Sequence, residues 1–113
     1  MTIVGKTSAS STADKLERLA QLFRRQQASD MMMRAVDKLF SLEREESLRQ
    51  LRQLEADLAE FETQYGMSSE TFYQKYQAGE TDDRMDFVEW ASLIQMRTNL
   101  LQRLQLLDEN GQE

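Results

Sequence analysis

Apolar residues recur along this chain at helical spacing, and four stretches carry the pattern. In SSTADKLERLAQLFRRQQ, residues Leu16, Leu19, Ala20 and Phe23 fall at i, i+3, i+4 and i+7, one face of a helix. Ser10, Ser11 or Thr12 suits its start, and Asp14 suits its first turn. In QASDMMMRAVDKLFSLEREE, Met32, Ala35, Val36, Leu39 and Phe40 make the next stripe. Ser29 and Asp30 favour a helix start over a helix interior, which places a turn at Gln27 and Ala28. From Leu51 the spacing becomes three, four, three, four through Leu54, Leu58, Phe61 and Tyr65. That is an a/d seam of about two heptads, too short for an independent coiled coil, and it reads as one face of a long helix packed on a neighbour. The last stretch, over 84–107, is apolar around much of its circumference. Phe87, Trp90, Ala91, Ile94, Leu101 and Leu104 form one stripe, and Leu93, Met96, Leu100 and Leu107 widen it, which suits contact on two sides.

The phrase YGMSSETFYQKYQAGETDD interrupts this helical run. Gly66 suits the left-handed residue that ends a helix, and Ser68 suits the N-cap of the next. Met67 and Phe72 then fall where a hydrophobic staple fixes the angle at which the chain joins the helix. The pattern predicts a short helix over 69–77 stopped by Gly79, then a fourth helix capped by Asp83 with Asp86 at N3. The insert is a corner that folds helix four back on helix two, with its aromatics as the wedge. Residues 2–7 form a β-prone piece. The expected fold class is therefore all-α, mainly helical. It comprises a short N-terminal strand, a helical hairpin, a long helix, a short corner helix and a final antiparallel helix.

Composition agrees with this reading and narrows the chemistry. The chain has 113 residues, no proline and 40% hydrophobic residues, which is modest for a small monomer and makes a partner or a second copy useful. Cysteine and histidine are both absent, which removes disulfides and most nucleophile-and-base pairs. The one dense acidic group, Glu80, Asp82, Asp83, Asp86 and Glu89, lacks the alternating oxygens, central glycine and closing glutamate of a calcium loop. These features predict no catalytic residue, metal site or cofactor, so the chain is not expected to be an enzyme. No apolar run approaches the ~18 residues that would span a bilayer, and no signal peptide opens the chain, so the expectation is a cytoplasmic protein without a membrane partner. The net charge of −6 is divided unevenly. Residues 1–40 hold seven bases and four acids, net +3, whereas residues 41–113 hold seven bases and sixteen acids, net −9. A basic front and an acidic back suit two kinds of partner.

The N-terminal third resembles the ribbon–helix–helix family of small bacterial DNA-binding proteins. The resemblance covers about residues 2–42, with Leu16, Leu19 and Ala20 matching the first helix and Ser29, Met32, Arg34, Ala35, Val36 and Leu39 the second. It implies an intertwined homodimer whose paired strands enter the major groove of operator DNA. Lys6, Thr7, Ser29 and Arg34 become the DNA-binding residues, with Ser29 at a phosphate anchor formed by the second helix's N-terminus. A plain helical hairpin is the alternative for this segment.

The second half is similar to a tail found in short prokaryotic proteins that look like antitoxins. Its motif here runs Phe61, Glu62, Tyr65, Gly66, Met67, Ser68, Ser69, Glu70, Phe72, Tyr73, then Gly79, Glu80, Asp82, Asp83, Asp86, Phe87, Glu89 and Trp90. The two resemblances imply a domain at 1–42 for dimerisation and DNA binding, and a partner-binding tail at 43–113. The implied function is a type II antitoxin-like protein. Its tail grips a basic toxin through Phe72, Tyr73, Tyr76, Phe87 and Trp90, ringed by Asp82, Asp83, Asp86 and Glu89. Aromatic anchors commonly carry interface energy, while rim charges steer association. The other reading is a structural adaptor that self-associates and has no nucleic-acid role.

Overall fold

Among the described residues three turns are closed by a residue with left-handed backbone: Gln26 at φ 59°, Gly66 at φ 65° and Gly79 at φ 75°. Two of the three therefore sit where the sequence places glycine. The computed structural model describes residues 4–108, with side chains from residue 11 onward. Among these the elements are α1 (Val4–Arg24), α2 (Asp30–Tyr65), α3 (Ser69–Gln77) and α4 (Met85–Leu107), with no strand.

The strand expected over 2–7 is not seen. Val4 to Thr7 begin α1, and residues 1–3 lie outside the described residues. A strand needs a neighbouring edge for its backbone donors and acceptors, whereas a helix satisfies them within itself. The same extension places Ser10, Ser11 and Thr12 inside α1, so they do not cap it. No proline stops the helix there, and serine or threonine costs only ~0.5 kcal/mol in a helix interior.

The turn after α1 is built without glycine. The Gln26 N–H donates to the Phe23 carbonyl at 3.0 Å, and the Gln27 N–H donates to the Leu22 carbonyl at 2.8 Å. This is the paired closure of a Schellman end, with glutamine in the position glycine prefers. Ser29 then caps α2 as expected, its Oγ accepting from the Met32 N–H at 3.1 Å. From there α2 runs unbroken for 36 residues, so the second hairpin helix and the seam helix are one element. No proline or glycine lies between residues 40 and 51 to divide them.

Contacts divide the chain into two units, Met1–Leu39 and Phe40–Glu113. In the second unit the corner forms as its motif predicts. Ser68 Oγ accepts from the Thr71 N–H at 3.1 Å. Gly79 and Glu80 close α3 on the carbonyls of Tyr76 and Lys75. Past the corner, α4 returns antiparallel to α2: Trp90 stacks on Phe61 near one end, and Arg103 reaches Ser47 and Glu43 near the other. Leu58, Phe72, Trp90, Ala91 and Ile94 form the buried cluster, and Met67 and Phe61 pack against it. Leu54 and Leu100 are buried further along the same helices.

A Cβ added at Gly66 or Gly79 meets no atom within 4 Å, so only backbone conformation opposes a side chain there. Gly66→Ala and Gly79→Ala should each lower stability by about 1–2 kcal/mol, the cost of a side chain in the left-handed region. Gln26→Gly should raise it by about 0.5–1 kcal/mol for the same reason in reverse. Urea denaturation of the three variants beside the parent chain checks both signs.

Candidate functional site

The tail residues converge on one side chain. Trp90 on α4 is wholly buried, and its ring lies 4.0 Å from that of Phe72 on α3, with the two planes 1° apart. Phe61 and Tyr65 on α2 stack on the same indole at 5.5 and 5.7 Å. A buried indole N–H needs an acceptor, and Ser69 Oγ supplies it at 3.0 Å. Ser69 is itself buried at the first position of α3, and its N–H donates to Glu62 Oε2 of α2 at 3.0 Å. A carboxylate there also faces the positive end of the α3 dipole.

Two of the aromatics that the tail resemblance assigns to partner binding, Phe72 and Trp90, are core residues of the second unit. The reason is that α3 covers the α4 face carrying Trp90, a neighbour that helical spacing alone could not supply. Tyr73, Tyr76 and Phe87 are half-buried around the cluster. Tyr73 Oη donates to Gln95 Oε1 at 2.9 Å, which ties α3 to α4 a second time.

The acidic residues separate into two kinds. Asp86 accepts a short bond from Tyr65 Oη at 2.6 Å and another from Gln64 at 3.4 Å, so it latches α4 to the end of α2. Asp82 pairs with Arg84 at 2.8 Å and accepts the Arg84 backbone N–H at 3.1 Å. The Arg84 guanidinium lies 4.7 Å from the Phe87 ring centre and 5.9 Å from that of Tyr65, over both faces. Asp83 and Glu89 are exposed. Asp83 does not cap α4. Arg84 stands at the N-cap without a side-chain cap bond, and the Asp82 carboxylate takes the donor two residues on, as aspartate does in a turn.

The bond from Arg84 holds the Asp82 carboxyl below its usual range, and the bond to Asp86 holds the Tyr65 phenol above its ordinary value of 10.0. Among the described residues no three carboxylates gather as a metal site would need. The sequence motif contains Glu62 and Ser69 without revealing that they fix the aromatics, and patterning missed Arg84. It placed Tyr65 on the seam without its bond to Asp86.

The N-terminal site residues are less concentrated. Ser29 spends its hydroxyl on the α2 cap, and Arg34 is exposed one turn further along. Lys6 and Thr7 fall within α1, and their side chains lie outside the described residues.

Trp90→Ala should cost about 3–5 kcal/mol, the range for emptying a large aromatic site, and Ser69→Ala should cost about 1–3 kcal/mol by orphaning the indole N–H. Urea denaturation followed by far-ultraviolet circular dichroism reads both. The Tyr65 phenol has a raised folded value. Its bond therefore contributes fully below pH 10, where the unfolded phenol is protonated, and is lost as pH rises through the folded value. Absorbance at alkaline pH should show one of the three tyrosines ionising late, and Tyr65→Phe should abolish that late phase. Comparison of the chain with family models, with curated proteins and with solved structures gives no match in any of the three.

Proposed function

We propose that this chain is an antitoxin-like binding protein whose acidic C-terminal unit captures a basic toxin and neutralises it by occlusion. In this reading the basic N-terminal unit contacts operator DNA, giving autoregulation. The observation that carries the proposal is the outer face of α4. Its inner face is held by Trp90 and Ile94 in the core, while Met85 and Val88 stand exposed and fall by helical spacing on the opposite side. Ser92 follows one turn on and Glu89 lies beside them, both exposed. A rigid helix with an apolar stripe and an acidic border suits a partner of opposite charge, and methionines adapt to irregular surfaces.

This places the contact on residues other than the buried aromatics of the motif. Phe72 and Trp90 then act indirectly, by holding α4 straight, while Asp83 and Glu89 steer the approach. No chemistry is required of the chain, because covering a toxin's active surface is sufficient to silence it. The resemblance of the tail to antitoxin-like proteins supports the same reading.

The test is purification and titration with the short basic protein expected from the adjacent reading frame. A stable complex should form, and Met85→Arg combined with Val88→Arg should weaken it at least about tenfold, or ~1.4 kcal/mol, with the melting temperature unchanged. Absence of any complex, or an affinity indifferent to both substitutions, would overturn the proposal.

A further inference from the structure

Every sulfur atom in this chain is a thioether. Cysteine and histidine are absent and Trp90 is wholly buried, so a peroxide meets methionine before any other oxidisable side chain. Susceptibility then follows exposure. Six methionine side chains are described, and they fall into two groups. Met32 and Met67 are half-buried, Met67 against the aromatic cluster. Met31, Met33, Met85 and Met96 are exposed, and Met85 is the most open of them at 76%. Methionine is ordinarily a core residue, so a side chain this open adds little to its own fold and stands first in reach of an oxidant.

Position separates Met85 from the other exposed methionines. It is the first residue of α4 and falls by helical spacing opposite Trp90 and Ile94, one turn before the exposed Val88. Met85 also lies outside the buried cluster and the side chains packed on it. A thioether at this place fits an apolar partner surface. A sulfoxide does not, because its oxygen is a strong acceptor that loses its water beneath a partner.

We propose that Met85 is a reversible redox site through which peroxide releases the partner held by α4. The sulfur lone pair attacks one peroxide oxygen, the S–O bond forms as the O–O bond breaks, and the departing hydroxide takes up the remaining proton as water. Sulfur loses two electrons and the peroxide gains them. A methionine sulfoxide reductase reverses the step: two thiols supply two electrons and become a disulfide, and the oxygen leaves as water. The proposal rests on the outer face of α4 being the partner contact, whereas the oxidation itself needs no partner.

The full chain is treated with dilute hydrogen peroxide, freed of it, digested and weighed as peptides. Met85 and Met31 should gain one oxygen ahead of Met32 and Met67, and urea denaturation of the oxidised chain should match that of the parent. The basic protein of the adjacent reading frame is then titrated. Oxidised chain should bind it at least about fivefold more weakly, and reductase treatment should restore the affinity. Met85→Leu should bind before and after peroxide alike, while Met31→Leu should lose affinity on oxidation as the parent does. Oxidation of Met67 ahead of Met85 would overturn the proposal. So would an affinity that peroxide leaves unchanged, or one that falls equally in Met85→Leu. No complex with the unoxidised chain would overturn the partner reading and the release with it, while the peptide masses still decide whether Met85 is the site.

Discussion

The C-terminal unit depends on one demand, that the indole N–H of Trp90 find an acceptor once the ring is buried. Burying so large a side chain stabilises the unit only if its polar edge is satisfied. Ser69 meets that requirement from the first turn of α3, and its own backbone is held by Glu62 at the end of α2. A single path of hydrogen bonds thus runs from α2 through α3 to α4. The stacked rings of Phe61, Phe72 and Trp90 add dispersion around it. Removing any member loosens the corner as a whole, because each polar group is the partner of the next.

The rest of the unit follows from that corner. Gly66 and Gly79 turn the chain sharply enough for α3 to reach the indole, and α4 must then return along α2. Two ties fix the return. Tyr65 and Asp86 bond beside the corner, and Arg103 meets Ser47 and Glu43 at the far end. Ser47 is buried, and its Oγ accepts from Arg103 Nε at 3.2 Å. With its inner face committed, α4 has no freedom to roll, and its outer apolar residues are presented in a constant arrangement. The internal aromatics and the proposed contact surface are therefore two sides of one helix, and the first makes the second rigid.

The two units differ in what they can do alone. One encloses tryptophan and phenylalanine completely, while the other encloses no side chain among those described. That contrast parallels the split in charge, positive in front and negative behind.

Much of this was legible along the chain. The seam of Leu54, Leu58, Phe61 and Tyr65, the glycine stops, the Ser29 and Ser68 caps and the span of α3 all follow from local spacing and backbone preference. These are properties of neighbours within a few residues of one another. The strand over 2–7, the cap by Asp83 and the division of α2 were expected and not found, and whether Trp90 faces the core was not readable from spacing. Each depends on a partner distant in sequence or on a competing neighbour: an edge to pair with, the carboxylate of Asp82, the missing break near residue 42, the cover provided by α3. Periodicity told which residues are apolar on which side of a helix. Which side meets the core, and which polar atom answers the indole, was decided only when α3 and α4 came together, because burial and hydrogen bonding are relations between elements and not properties of any one of them.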